Sequence, residues 1–140
     1  QDFSSTGAIM GQRNFRVFVN ASRKVRLKMF SNAQIQVPSS AKLEYNKWTH
    51  VTAVYDGEAS EERLKIYING EKVASGNNAS GSIPVSAEDI YRIGRKPFDS
   101  GQQQYFKGEI DDDINYQDAL DNPNLTKEEK KEKKLVSVLK

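Results

Sequence analysis

The 140-residue chain has no cysteine, one histidine, one tryptophan and four prolines. Without cysteine there is no disulfide framework and no thiolate zinc site of the common structural kind. A lone histidine, His50, leaves no multi-histidine metal centre. No apolar run approaches the roughly eighteen residues that a membrane span needs, so no membrane span is expected. The opening stretch QDFSSTGAIMGQRNF lacks a basic segment followed by an apolar core and does not read as a signal peptide. Because the chain opens on Gln1, it is expected to be processed or excerpted from something longer. Charge of one sign is also lacking: the net charge is +2, and residues 127–140 alone carry six lysines against three glutamates, so the remainder is slightly acidic. Those lysines sit among glutamates and beside no aromatic residue, unlike a nucleic-acid footprint. No nucleic-acid partner is expected.

What the sequence does have is a period of two. In FRVFV (15–19), Phe15, Val17 and Val19 alternate with Arg16 and Phe18; in KVRLKMF (24–30), Val25, Leu27 and Met29 alternate with Arg26 and Lys28. Both predict half-buried strands, and NASR between them supplies the turn of a hairpin. WTHVTAVY (48–55) has no purely polar face and predicts a central strand. RLKIYI (63–68), then Asn69-Gly70, then EKVAS predict a tight hairpin, because Asn-Gly tolerates the positive φ such a turn requires. DIYRIG (89–94) and FKGEIDDDINY (106–116) predict two more strands around a loop. Several short strands separated by turns predict an all-β antiparallel sandwich over residues 1–125. The end differs. Thr126 and Glu129 form a capping-box pattern, and residues 126–140 predict a short Lys/Glu-rich helix or tail whose Leu135, Val136 and Leu139 dock against something.

Three segments in order, WTHVTAVYDG, LKIYINGEKVASG and IGRKPFDSGQQQYFKGEIDDDINYQDAL, resemble the laminin G-like or concanavalin A-like lectin/glucanase superfamily. The resemblance covers residues 48–120. It implies a jelly-roll sandwich, usually extracellular, usually binding carbohydrate or protein, and often holding a structural calcium ion. Members carry further strands ahead of the segment corresponding to residues 8–19, and this chain shows no counterpart. A companion chain or a segment of a parent protein is therefore expected to supply them. The chain also departs from the family pattern within IDDDINY, where Asp113 and Asn115 fall at apolar positions. A one-residue slip turns a strand's core face outward, which predicts a β-bulge near Asp112 or Asp113.

Glu109, Asp111, Asp112 and Asp113 crowd four carboxylates into five positions. Glu109-Ile110-Asp111 is similar to the start of a β-glucanase strand whose alternate carboxylates face a cleft, and simple alternation would place Glu109, Asp111 and Asp113 on one face, about 7 Å apart. Against catalysis, Asp113 is a methylene shorter than the family's glutamate and Trp48 is the sole tryptophan. No enzyme is expected. For calcium, which takes six to eight oxygens, the candidate ligands are Asp56, Asp111 and Asp112, with Asp99 as a helper; solvated carboxylates paired with Arg92, Arg95 or Lys107 are the alternative. For a ligand the candidates are Arg95, Phe98 and Tyr105, in or beside loops that carry recognition more often than strands do, with Tyr45 as a further one. His50 and Trp48 are assigned to structure, Trp48 to the core. Asn20, Asn78 and Asn124 begin glycosylation sequons.

The expected function is a non-catalytic, lectin-like binding module recognising carbohydrate or a protein surface, within a larger extracellular or particle-surface protein. Two other readings stand beside it: a capsid, sheath or filament subunit completed by strands from a neighbour, and a glucanase-like hydrolase.

Overall fold

A computed structural model describes residues 6–87, 90–96, 104–114 and 134–139, with 112–114 and 134–139 described by their backbone. Two five-stranded antiparallel sheets form the sandwich. The first has the order β4-β3-β2-β1-β8, built from β1 (Gly7–Gln12), β2 (Phe15–Val19), β3 (Val25–Met29), β4 (Gln34–Gln36) and β8 (Arg92–Ile93). The second has the order β7-β6-β5-β10-β9, built from β5 (Thr49–Tyr55), β6 (Leu64–Ile68), β7 (Glu71–Gly76), β9 (Ile110–Ile114) and β10 (Lys134–Leu139).

The alternation seen in the sequence sets the inner faces. Phe15, Val17 and Val19 of β2 and Val25, Leu27 and Met29 of β3 are buried, and they face Val51, Ala53 and Tyr55 of β5 with Leu64 and Ile66 of β6 across one core. Fully burying side chains of this kind contributes about 1.5–3 kcal/mol each before conformational entropy is set against it. Phe30, at the end of β3, meets Tyr55 edge to face, with ring centroids 6.1 Å apart, which joins the two layers. Ala33, Val37 and Leu43 in the segment linking the sheets complete the core.

Local chemistry fixes the register. Asn69 and Gly70 take φ of 52° and 83°, the two consecutive positive values of the predicted hairpin between β6 and β7. In the β2–β3 turn, the Asn20 Oδ1 accepts the backbone N–H of Ser22 and of Lys24, both at 3.0 Å. β5 lies between β6 and β10 and is central, as its two apolar faces imply.

Three expectations are corrected. Residues 134–139 are not helical: they form β10, paired with β5 from Lys134↔Val54 to Leu139↔Thr49 and with β9 on the other side. Leu-Val-Ser-Val-Leu alternates with period two and contains two β-branched valines, which suit a pleated ladder better than a helix; residues 126–133 lie outside the described residues. Trp48 is 42% exposed, because it precedes β5 and does not belong to it. Ile93 is 51% exposed, because DIYRIG contributes only the two-residue edge strand β8. Two strands escaped the sequence reading altogether, β1 and β4.

The expected irregularity in β9 is present. Ile114 pairs with Val136 and Asp111 with Val138, three steps along β9 against two along β10. One extra residue is accommodated at Asp112–Asp113.

Candidate ligand-binding cleft

The residues left on the outer face of β2 and β3 are Arg16, Phe18, Arg26 and Lys28, each half-buried. The hairpin register places Arg16 opposite Lys28 and Phe18 opposite Arg26. Side chains directly opposite in an antiparallel pair stand about 5 Å apart at Cβ, so three cations and one aromatic ring form a single cluster. A hollow of about 270 Å³ opens above it, lined by Thr6, Ala8, Lys96 and Gln104 as well as these four residues. Among the described residues no acidic side chain lines it.

Its floor is held from below. The Arg26 guanidinium lies over the Phe18 ring, 5.5 Å from the centroid. Its Nε and Nη2 donate to the Gln36 Oε1 at 3.1 and 2.5 Å. The same oxygen accepts from the Asn20 Nδ2 at 2.9 Å, so the β2–β3 turn residue also fixes the guanidinium through Gln36. Neither Arg26 nor Lys28 is engaged in an ion pair among the described residues. Burial lowers the pKa of Arg16, but a guanidinium titrates so high that it stays charged at neutral pH. Clefts lined by one sign of charge with low-dielectric walls concentrate the opposite ion.

The wall of the cleft comes from the far end of the chain. The Gln104 carbonyl accepts the backbone N–H of Ala8 and of Lys96, both at 3.2 Å, and Tyr105 forms a parallel bridge with Ala8. These bonds bring Lys96 and Gln104 to the β1 side of the sheet.

Of the ligand residues expected from the sequence, Arg95 and Tyr105 are the chain neighbours of Lys96 and Gln104; Tyr105 is 54% exposed. Neither lines the hollow itself. Phe98 and Asp99 lie outside the described residues. Tyr45 is exposed elsewhere, under the Arg23 guanidinium at 4.7 Å. His50 sits on the sheet surface, its backbone N–H donating to the Asn69 Oδ1 at 3.0 Å.

Of the expected calcium ligands, Asp56 and Asp111 are not brought together. Asp111 is level with Val138 and so with His50, whereas Asp56 follows the end of β5, six residues on from His50, roughly 20 Å along the strand direction at about 3.3 Å per residue. The Asp56 Oδ1 accepts the Glu58 N–H at 3.0 Å in a local turn; Asp111 is exposed on β9, and the side chain of Asp112 lies outside the described residues. Among the described residues no three His, Cys, Asp or Glu side chains gather as a metal-binding group. The bulge at Asp112–Asp113 interrupts the alternation on which a shared face for Glu109, Asp111 and Asp113 depends.

Sequence reasoning missed Arg16, Phe18, Arg26, Lys28 and Lys96. The signal was present, since two alternating strands joined by a turn must bring their outward residues together; what hid it was a lysine-rich end that dominates the charge of the chain.

No curated protein and no solved structure matches the chain. A laminin G family model, described as Concanavalin A-like lectin/glucanases superfamily, matches residues 2–125. With most of its length covered and two stacked antiparallel sheets in its fold, the chain belongs to the concanavalin A-like lectin/glucanase superfamily.

Proposed function

We propose that this domain is a non-catalytic binding module that recognises carbohydrate or a protein surface, as part of a larger extracellular or particle-surface protein. The observation that carries the reading is the hollow on the outer face of β1, β2 and β3, whose side chains are positioned by strand register. Recognition needs groups held in place before the ligand arrives, since ordering them on binding costs affinity. A non-catalytic role is favoured by the bulge in β9, because retaining glycoside hydrolysis needs two carboxyl groups about 5–5.5 Å apart across the bond. The test is a panel of immobilised polysaccharides and matrix proteins presented to the intact chain, with a parallel assay for new reducing ends from β-glucans. Saturable binding without new reducing ends is expected. Reducing ends that disappear in an Asp111→Asn variant would replace this reading with a hydrolase.

The second reading, a structural subunit completed by strands of a neighbour, is favoured by one observation. β10 lies beyond the residues 2–125 matched by the family, yet it is inserted between β5 and β9. The second sheet therefore accepts an added strand. Light scattering across a concentration series separates the readings: a monomer fits the binding module, and a stoichiometric oligomer fits the subunit.

A further inference from the structure

The slot between β5 and β9, which β10 fills, is itself an interaction surface. We propose that it is a strand-acceptor site for another polypeptide, in which an extended segment with apolar residues at alternate positions enters between β5 and β9 and displaces β10. This rests on the second reading above, in which the second sheet takes a strand from a neighbour. Until the partner arrives, β10 keeps the backbone N–H and C=O groups of β5 and β9 paired.

Three observations set β10 apart from the other interior strands. It lies beyond residues 2–125, so a segment outside the family match fills the slot. It is joined to β9 through residues 115–133, nineteen residues where antiparallel neighbours need only about two to five. That length spans up to about 60 Å when extended, so β10 can leave the slot while β9 stays in place. The third observation is its register. Leu135, Ser137 and Leu139 are level with Ala53, Val51 and Thr49, all three of which are buried. A serine thus occupies the middle of three rungs that β5 turns to the core. On the other side, Val136 pairs with Ile114 and Val138 with Asp111, so Ser137 also falls where the β9 ladder is interrupted by its extra residue.

Register and residue type decide what kind of segment the slot prefers. The backbone ladder of an added strand gives affinity, and the positions that take its alternate side chains give specificity. Here those positions are the rungs of Thr49, Val51 and Ala53. A valine or isoleucine on the Val51 rung removes more apolar surface from water than a serine does and suits a pleated strand better. A partner segment carrying such a residue is therefore favoured over β10. A second copy of this chain brings the same serine and gains nothing by exchange, so the occupant is a different polypeptide.

The experiment brings the intact chain to equilibrium with two fluorescent peptides, residues 134–139 flanked by lysines and the same peptide carrying Ser137→Val. Anisotropy reads binding, and hydrogen exchange reads the amides of 134–139 in the chain. The Ser137→Val peptide is expected to bind saturably, to strip protection from 134–139, and to bind about tenfold or more tighter than the serine peptide. A chain carrying Ser137→Val is expected to resist that peptide by a similar factor, with an unchanged circular dichroism spectrum as the folding control. Equal affinities with loss of protection overturn the preference for an apolar rung and leave the second sheet standing as a strand acceptor. Binding without loss of protection at 134–139, or no binding by either peptide, removes the proposal together with the observation that favours the second reading. A concentration-dependent dimer of the unaltered chain that either peptide dissolves assigns the slot to a second copy and overturns the choice of a different polypeptide.

Discussion

Arg16 and Lys28 share one rung of the outer face of β2 and β3, two cations side by side with only a strand spacing between their backbones. Like charges directly opposite in a sheet are destabilising by a few tenths of a kcal/mol up to about 1 kcal/mol. Lys28→Gln is therefore expected to stabilise the fold by that amount. Urea unfolding at low and high salt checks it: the gain should shrink as salt screens the pair. A loss of stability would mean that the lysine stem packs in a way its charge does not reveal.

Tyr55 and Gly81 form the next test. The buried Tyr55 hydroxyl donates to the Gly81 carbonyl at 2.7 Å, and the Gly81 N–H donates to the Gly57 carbonyl at 3.0 Å. Tyr55→Phe leaves that carbonyl without its hydroxyl donor and is expected to cost about 1–3 kcal/mol. Gly57→Ala would place a Cβ 2.0 Å from the same oxygen, so backbone must move, at a cost of about 1–3 kcal/mol or more. Because both act on one contact, the double variant should cost less than their sum. A shift of the urea midpoint at constant m-value is the readout. Burial raises the Tyr55 pKa above its ordinary 10.0, so this hydrogen bond contributes fully below the unfolded value and its contribution is lost as pH rises through the folded one.

These contacts show what could be read in advance. The Asn69-Gly70 turn, the two faces of β2 and β3 and the central place of β5 follow from residue types a few positions apart, where backbone sterics and period-two burial act directly. The bulge at Asp112–Asp113 was legible because apolar positions slipped by one. The cleft was not, because it needs Lys96 and Gln104 to meet β1, a contact spanning about ninety residues and fixed by backbone bonds that no side chain announces. Nor was the fate of the end: good helix formers at 127–134 outweighed the Val136–Val138 alternation until a gap between two strands decided it.

Glu62 and Lys72 make a surface pair with measurable titration. The Lys72 Nζ donates to both Glu62 oxygens at 2.7 and 2.6 Å, and the Ser75 Oγ donates at 3.0 Å. The hydrogen bond from Lys72, then that from Ser75, lowers the Glu62 pKa below 4.5; the same bond raises that of Lys72 above 10.5. The glutamate's contribution is present above its unfolded pKa and lost as pH falls through the folded one, and the lysine's is present below its unfolded pKa and lost as pH rises through the folded one. Carbon-detected NMR titration should show Glu62 returning toward the usual range in Lys72→Met, and part of the way in Ser75→Ala. With both groups exposed, the thermal midpoint should hardly change.

The strand assignment of residues 134–139 makes the strongest demand on the fold. β10 separates β5 from β9, so a chain ending at residue 133 would turn the interior strand β5 into an edge and leave β9, already at the end of the sheet, without its strand partner, exposing unpaired N–H and C=O groups on both. Such a chain is expected to aggregate or to associate through that gap, and a synthetic peptide spanning 134–139 should restore the monomer. Val136→Ala with Val138→Ala discriminates further. Alanine favours a helix and disfavours a strand, so the double variant should lose up to about 1 kcal/mol per site if the ladder is right and gain stability if the segment is helical. Unfolding midpoints measured beside the unaltered chain decide it. A truncated chain that stays monomeric with an unchanged midpoint would show that β5 and β9 do not depend on this strand for their pairing.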